Sequence, residues 1–443
     1  MFRLFCLTLA VCLATTAAAG DRWPQFRGGL SDGATQTALP RVWDQQQNTR
    51  WKVSVPGEGW SCPVIWEDRL FLTTAVNQDQ ETQPEQYAGG GGRQRSDLTK
   101  QTYRWQVLCL DPATGKEIWR RTAKEGHPAV PRHSSNTYAT ETPLTDGERV
   151  YAYFGMAGLF CFDVEGKPLW EKDLGVFEMR AGWGTSSSPV LFAGRLFVQV
   201  DNEQQSFLVA FEAATGRELW RVPRDERSQY SSPVVWQNSR RSELIVGGMV
   251  CRSYDPETGR LLWSLDMQKG RSSATPLAVG DRLYVGTEFR DRGGADDGGG
   301  FLFCVKPGGD GDLSTAPDSP PGEFIQWKTE RAGIQMASPV LCQGHLYLLE
   351  RRSGILHCLN AETGAVAFRN RVPRAKPLWS SPWPDGEIVY CLDDDGTTHV
   401  LQGGPELIVV EQNRLDEQTW SSPAIANGSI FLRTAGHLYR IGD

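Results

Sequence analysis

The six histidines are the residues of this chain best suited to metal binding or proton transfer. Their spacing indicates whether two of them could bind the same metal ion. No pair is spaced H-x-x-x-H or H-E-x-x-H, the helical spacings that bring two imidazoles onto one zinc ion. His127 and His133 share the loop G-H-P-A-V-P-R-H, where both rings could bind a metal. We favour a simpler interpretation, a connector between repeats that carries two histidines, and we expect no metal site.

Clustered carboxylates are the second candidate, because they suit a hard cation such as calcium. Asp393, Asp394 and Asp395 are consecutive and precede Gly396. In the repeat described below, D-D-D-G falls where another copy has R-R-S-G, at a turn between two strands. The turn is therefore favoured over a calcium site, and no catalytic residue is assigned.

The cysteines could form disulfides or act as nucleophiles, and eight of the ten lie beyond the N-terminal segment. Four occupy one slot of a repeat, where other copies have Ala210 or Ser253; these four are Cys109, Cys161, Cys304 and Cys358. A slot that accepts Cys, Ala or Ser wants a small buried side chain, and free cysteine behaves as a small hydrophobe. Whether the remaining four, Cys62, Cys251, Cys342 and Cys391, form disulfides is left open.

The elements that must position any site come from a repeat. Eight times a small or polar residue precedes a proline and an apolar stretch, as in S-S-P-V, at intervals near 43 residues with two longer ones. The prolines are Pro63, Pro143, Pro189, Pro233, Pro276, Pro339, Pro382 and Pro423. Such a period indicates a repeat array with two insertions.

Each repeat contains four short strands. Residues 335–368 contain the strands S-P-V-L-C, H-L-Y-L-L, I-L-H-C-L and A-V-A-F, separated by turns. Four antiparallel strands in a unit of this length form one blade of a β-propeller. We predict an all-β fold, an eight-bladed β-propeller of four-stranded antiparallel blades. An N-terminal strand, residues 50–55, is expected to close the ring, because the last repeat ends without a fourth strand.

A tryptophan closes most repeats after a T-G turn, as in D-P-A-T-G-K-E-I-W. A large ring at this regular position is expected to pack between neighbouring blades. The predicted blade-docking residues are Trp119, Trp170, Trp220, Trp263 and Trp327, with Phe368 in the equivalent place. Stacking on a sugar or a cofactor is the alternative, and the regular spacing favours the structural role.

The domain layout follows from these patterns. Arg3, the apolar run 4–13 and the small residues 17–19 predict a signal peptide over residues 1–19, whereas lipid attachment at Cys12 is a weaker alternative. A lead segment (20–49) and the propeller (50–443) follow, with insertions at about 77–102 and 288–322. No later run is long enough for a transmembrane span, so we expect an exported, periplasmic or extracellular protein. The net charge of −7 and the lack of a basic block argue against nucleic acid as a partner.

The most specific functional signal lies three residues before each repeat proline, at the start of the innermost strand. In the neighbouring blades 7, 8 and 1 this slot holds Trp379, Trp420 and Trp60, and in blade 4 it holds Tyr230. Exposed aromatic clusters mark binding sites, so we hypothesise a ligand-binding mouth at this slot. Packing of each ring beneath a loop is the alternative.

The T-G-x-x-x-W turns, the S-P-V strands and the eight blades resemble the pyrroloquinoline-quinone (PQQ) propeller repeat family over essentially the whole mature chain. The opening W-P-Q-F-R-G at 23–28 is similar to the lead-in of exported members. The family contains quinone-dependent dehydrogenases and a propeller lipoprotein of the outer-membrane β-barrel assembly machinery. The dehydrogenases carry adjacent cysteines over the quinone, and no two cysteines are adjacent in this chain.

The resemblance therefore favours the scaffold branch, and neither PQQ nor another cofactor is expected. Three classes of function remain open. The favoured one is a non-catalytic scaffold that binds extracytoplasmic protein or envelope components. A polysaccharide- or glycan-binding module comes next, and a PQQ-dependent oxidoreductase is last.

Overall fold

The computed structural model describes residues 22–29, 38–79, 95–96, 98–267, 273–288, 300–316, 319–330, 334, 336–350 and 354–442. Within them the strands form eight sheets around a ring, so the predicted eight-bladed propeller is confirmed. The predicted signal peptide and much of both predicted insertions lie outside the described residues. No helix of the described part is long and apolar enough to cross a membrane.

Two strands, β1 (Arg22–Trp23) and β2 (Thr49–Ser54), precede the first blade. The strands of the first half of the ring are then, from the channel outward, in blade 1 β3 (Val64–Trp66), β4 (Arg69–Asn77), β6 (Tyr103–Leu110) and β7 (Glu117–Gly126); in blade 2 β9 (Leu144–Thr145), β10 (Arg149–Tyr153), β11 (Leu159–Asp163) and β12 (Pro168–Lys172); in blade 3 β13 (Val190–Phe192), β14 (Arg195–Val200), β15 (Phe207–Glu212) and β16 (Glu218–Pro223); and in blade 4 β17 (Val234–Gln237), β18 (Ser242–Val246), β19 (Val250–Tyr254) and β20 (Leu261–Asp266). A separate pair, β5 (Arg95–Ser96) and β8 (Arg132–His133), joins the first insertion to the connector after blade 1.

The second half has the same order. Its strands are in blade 5 β21 (Leu277–Val279), β22 (Arg282–Gly286), β23 (Leu302–Val305) and β25 (Ile325–Thr329); in blade 6 β26 (Val340–Cys342), β27 (His345–Glu350), β28 (Ile355–Asn360) and β29 (Val366–Arg371); in blade 7 β30 (Trp383–Asp385), β31 (Ile388–Leu392), β32 (Thr397–Gln402) and β33 (Ile408–Arg414); and in blade 8 β34 (Ala424–Ala426), β35 (Ser429–Arg433) and β36 (His437–Gly442), with β2 outermost. Short 3-10 turns lie at Phe26–Gly29, Gly155–Ala157 and Arg180–Gly182.

The ring closes as predicted. Strand β2 pairs antiparallel with β36, from Thr49 opposite Ile441 to Ser54 opposite His437. The first repeat's lead-in therefore supplies the outer strand that the last repeat lacks.

Two blades carry a fifth strand that the repeat pattern did not predict. β1 pairs with β3 on the channel side of blade 1. In blade 4 a strand from the second insertion, β24 (Gly311–Asp312), runs parallel to β20 along the outer edge. Both additions come from chain segments outside the repeat.

The residue before each repeat proline joins neighbouring blades. At seven junctions its backbone N–H donates to the hydroxyl at the same slot of the next blade, over 2.9–3.2 Å. The successive acceptors are Thr142, Ser188, Ser232, Thr275, Ser338, Ser381 and Ser422. The residues that precede the repeat prolines therefore form a series of hydrogen bonds around the channel. Cys62 is the only one of these eight residues without a hydroxyl group.

This hydroxyl ring makes a prediction about stability. Ser232→Ala leaves the buried N–H of Ser188 without its acceptor at 2.9 Å, which should cost about 1–3 kcal/mol of unfolding free energy. Ser231→Ala is the matched control, since the neighbouring Ser231 is fully buried and its hydroxyl has no partner among the described residues. Urea unfolding of both variants measures the difference. Equal losses would contradict a structural role for the ring.

The closing tryptophans lie between blades. The indole N–H of Trp119 donates to the Val164 carbonyl of blade 2 at 2.8 Å, and Gly166 of the same turn lies flat on the ring. A Cβ at Gly166 would stand 2.8 Å from the indole, so this D-V-E-G turn needs glycine both for the close contact and for its φ of 83°. The indoles of Trp170, Trp220 and Trp327 also reach carbonyls of the next blade, those of Ala213, Pro256 and Ala361.

Trp263 makes a different hydrogen bond. Its N–H donates to the buried carboxylate of Glu243 in its own blade at 2.6 Å, while its ring packs among core residues of blade 5. In blade 5 the second insertion replaces the T-G turn whose carbonyl accepts the indole N–H in other blades. The described residues of blade 5 therefore contain no T-G turn to accept from Trp263.

All eight cysteines of the described part are buried free thiols. The prediction that Cys109, Cys161, Cys304 and Cys358 are packing residues is confirmed, because each is buried and unpaired. The off-slot cysteines of the same described part form no disulfide either.

Candidate functional site

The ring has two faces, which we define by the direction of the innermost strands. The front face is the one at which these strands begin, and the back face is the one at which they end. The connectors between blades and the loops joining second to third strands therefore lie at the front. The slot three residues before each proline opens at the front mouth.

The chain's own N-terminal residues 22–29, which we call the channel segment, occupy the channel behind this mouth. After β1 pairs with blade 1, the Pro24 carbonyl accepts from Thr145 of blade 2, and the Gln25 side chain accepts from Leu191 of blade 3. Arg27 then donates to the Pro339 carbonyl of blade 6 at 2.6 Å. The segment is thus hydrogen-bonded to blades 1, 2, 3 and 6 and crosses the channel.

The structure brings the three predicted tryptophans together. Trp379 and Trp420 stack with ring centroids 4.1 Å apart and planes 14° apart, and Trp420 and Trp60 stack at 5.4 Å and 26°. Trp60 is buried and its indole donates to the Ser135 carbonyl, whereas Trp379 and Trp420 are half-buried. Trp420 therefore lies between the other two rings. Tyr230 lies apart from the stack, beside Trp183 at 6.0 Å.

The remaining rim residues divide the mouth into two halves. Blades 6, 7, 8 and 1 contribute what we call the apolar half, Met336, Trp379, Trp420 and Trp60. Blades 2–5 contribute the hydroxyl half, Thr140, Ser186, Tyr230 and Ser273. Apart from Trp60, all are partly exposed. None of these eight described positions holds a charged residue, although 22% of the chain is charged.

A buried ionic group lies beneath the tryptophan stack. Arg433, which is fully buried, donates to the Ser61 hydroxyl and the Thr73 carbonyl of blade 1. Arg132 binds Glu58 at 2.6 Å in a pair whose side chains are 5% and 3% exposed. Burial raises the pKa of Glu58, although Arg132 opposes that effect. These contacts join blade 8 and the connector before blade 2 to blade 1, at Glu58 and Ser61 on either side of Trp60 in the sequence.

Glu141 is a buried acid that no cation contacts within the described part of the chain. It stands two residues before the repeat proline of blade 2, where other blades have Ser or Ala, and it is 2% exposed. One of its carboxylate oxygens has no hydrogen-bond partner there. Burial raises its pKa to about 7, with the Thr185 hydroxyl lowering it in part. The repeat alignment alone would have revealed this residue, because E-T-P departs from the S-S-P pattern.

The aspartate cluster and the two loop histidines, which the sequence suggested as metal ligands, form hydrogen bonds within the protein. The carboxylate of Asp393 accepts from the backbone of Lys376 and Thr397 and pairs with His399 at 3.0 Å, in the predicted turn between β31 and β32. His127 contacts the Gln101 carbonyl, and His133 contacts Ser135. Among the described residues no three His, Cys, Asp or Glu side chains are grouped to hold a metal ion.

The residues at the front mouth do not fit PQQ, a planar quinone with three carboxylates. A ligand with three carboxylates requires cations that are not already bound, but Arg132 and Arg433 are bound to protein groups. The two buried arginines described here therefore offer such a quinone no cation that is not already bound to the protein.

Comparison with known proteins gives matches of two kinds. The family model described as outer membrane protein assembly factor BamB matches residues 103–250 and 304–403. BamB of Alkalilimnicola ehrlichii is 25% identical over 49% of this chain and 51% of its own length, and BamB of Burkholderia pseudomallei is 25% identical over 69% and 65%. A quinohemoprotein alcohol dehydrogenase of Pseudomonas putida is 26% identical over 61% of this chain and 40% of its own length.

Solved structures share the fold. BamB from Moraxella catarrhalis aligns with a TM-score of 0.55 at 13% identity, covering 84% of this chain and 98% of its own. Quinohemoprotein alcohol dehydrogenase from Comamonas testosteroni aligns with a TM-score of 0.57 at 12% identity, covering 97% and 81%. The chain therefore spans about half to two thirds of the BamB sequences it matches, while its fold extends over nearly all of a BamB structure.

Proposed function

Because the chain belongs to the family described as outer membrane protein assembly factor BamB, we propose that it is an exported, non-catalytic scaffold that binds envelope polypeptides through its front mouth. The observation that carries the proposal is the segment that crosses the channel. With residues 22–29 crossing from blade 1 to blade 6, the mouth is a surface for a partner and not a passage. The uncharged rim and its tryptophan stack support the same role.

Protein partners suit this surface. Aromatic side chains supply large contact area at low conformational cost and dominate many interfaces. The relatives' names refer to outer-membrane protein assembly, which is work on polypeptides. Oxidation through PQQ is not proposed, because the mouth does not fit the quinone.

The proposal predicts position-specific contact with a polypeptide in the producing cell. A photo-crosslinking residue at Met336 on the rim should yield discrete crosslinks to another protein, and Trp379→Ala in the same chain should reduce them at least fivefold. The same residue at Val366, 55% exposed on outer strand β29, is the matched control and should yield none of these bands. Crosslinks that ignore Trp379, in a chain with the parent's melting temperature, would contradict binding at the mouth.

A further inference from the structure

We propose a second binding site, for a small aromatic anion, in a cleft between blades 4 and 5 at the back face. The turns from first to second strands and from third to fourth strands lie at this face. The cleft has a volume of about 700 Å³, and small-molecule sites usually have about 300–1,000 Å³. It lies at the opposite face of the ring from the front mouth, so the inference is independent of the proposed function.

The cleft lies where a contact made at other junctions between blades is interrupted. At the junction of blades 3 and 4, Arg195, the first residue of β14, pairs with Glu257 of the next blade's T-G turn at 3.5 Å. At the junction of blades 5 and 6, Arg282, the first residue of β22, pairs with Glu362 in the same way. Blade 5 has no T-G turn, because the second insertion replaces it. The junction of blades 4 and 5 therefore lacks the acid of that turn.

The insertion leaves one arginine of blade 4 without an acid. The turn between β17 and β18 holds Arg240 and Arg241. Arg241 donates to the Gly309 carbonyl of the insertion at 2.6 Å and pairs with Glu243 of its own blade at 3.1 Å. Arg240 lines the cleft, is exposed and forms no salt bridge with another described residue. Its guanidinium can therefore bind an anion that enters the cleft.

A charge reversal in blade 5 adds a second cation. Two residues after the small-residue slot, at or just after the end of the third strand, other blades have an acid or an amide: Asp111, Asp163, Glu212, Asp255 and Asn360. Each of these side chains accepts a hydrogen bond from the turn that follows. Blade 5 has Lys306 there, and an ammonium donates but cannot accept. Lys306 is exposed at the cleft and forms no salt bridge within the described part of the chain.

The insertion also supplies an apolar wall beside these cations. Phe324 is half-buried, and its carbonyl accepts from the Lys306 N–H at 2.8 Å. A Cβ on Gly308 would lie 3.6 Å from the Phe324 ring and 3.9 Å from the Arg240 side chain, so both side chains flank one glycine. An aromatic ring beside a guanidinium suits a ligand that combines a flat apolar part with a negative charge.

The acids of the cleft limit the charge of this ligand. Asp281 accepts from the Ser239 N–H at 2.8 Å, a contact that joins the two blades and lowers the pKa of that carboxyl. Glu323 is exposed and forms no salt bridge among the described residues. An anion bound at Arg240 and Lys306 therefore meets the negative charges of both acids, which disfavours a multiply charged ligand. We expect a monoanion, and an aromatic carboxylate is the class that fits.

Calorimetric titration of the full chain with 2-naphthoate tests the proposal, and 2-naphthamide, the same ring with an uncharged amide, is the matched ligand. The Kd of the naphthoate should be about tenfold lower, because only its carboxylate binds the two cations. Arg240→Gln and Lys306→Gln should each raise that Kd about fivefold. Glu323→Gln should lower it about threefold, because a repelling charge is removed.

Lys116→Gln is the matched control for the loss of a cation. Lys116 is exposed in the T-G turn of blade 1, so its loss changes the net charge equally but lies outside the cleft. It should leave the Kd of the naphthoate unchanged. All four substitutions are at exposed side chains, so each variant should keep the parent's melting temperature. Equal binding of the two ligands, no binding of the naphthoate, or equal effects of Lys116→Gln and Lys306→Gln would overturn the proposal.

Discussion

Removing the closing strand should abolish cooperative unfolding. Without residues 50–55 the outer edge of β36 has no partner, and blade 8 loses the contacts that this strand makes with blade 1. Trp51 alone packs on Phe431 at 5.9 Å and donates to the Pro112 carbonyl of blade 1, and Lys52 pairs with Glu417 at 2.6 Å. Together these contacts should be worth several kcal/mol, comparable with the whole stability of a domain, about 5–15 kcal/mol. Circular dichroism during urea unfolding should show a broad transition in place of one sharp step.

A transplanted strand is the matched control for this loss. One chain begins at Pro56 and ends at Gly442; the second is identical but continues through a two-residue turn into residues 49–54. The geometry allows this hairpin, because the Gly442 N–H already donates to the Asn48 carbonyl at 2.9 Å. The second chain should recover the sharp transition. Equal melting temperatures for the two chains would refute closure by this strand.

The blade pattern could be predicted because its signals are local. A four-strand repeat with T-G turns shows itself within about 43 residues, and the missing last strand required only a count. The channel segment could not be found this way. Apolar and polar residues do not alternate in W-P-Q-F-R-G as they would in a strand of one sheet. Its partners Thr145, Leu191 and Pro339 belong to three different blades.

The site was predictable in part for the same reason. Aligning one slot placed Trp379, Trp420 and Trp60 on neighbouring blades, and the structure stacks them. Which ring faces are covered depends on side-chain orientation, which no spacing encodes. The charges beneath the stack were missed because Glu58, Arg132 and Arg433 come from a lead-in, a connector and a strand end that share no repeat position.

Glu141→Gln should stabilise the protein at neutral and alkaline pH and change it little in acid. Burial raises the folded-state pKa of Glu141 to about 7 from its usual 4.5. Between these values the folded protein holds a proton that the unfolded chain has released, so the free energy of unfolding falls as pH rises. At about 1.4 kcal/mol per pH unit, the loss approaches 3 kcal/mol by about pH 7 and is constant above it.

The glutamine variant lacks this loss, because its amide stays neutral in both states and can still accept from Thr185. The difference in unfolding free energy between variant and parent should therefore be small at pH 4, grow through pH 6 and level off near pH 8. Glu165→Gln, which removes an exposed carboxylate from the same blade, controls for net charge and should show no such growth. Urea unfolding at these pH values measures the difference directly. A constant offset across the range would mean that Glu141 is ionised in the folded protein throughout, and that its burial is compensated by the groups around it.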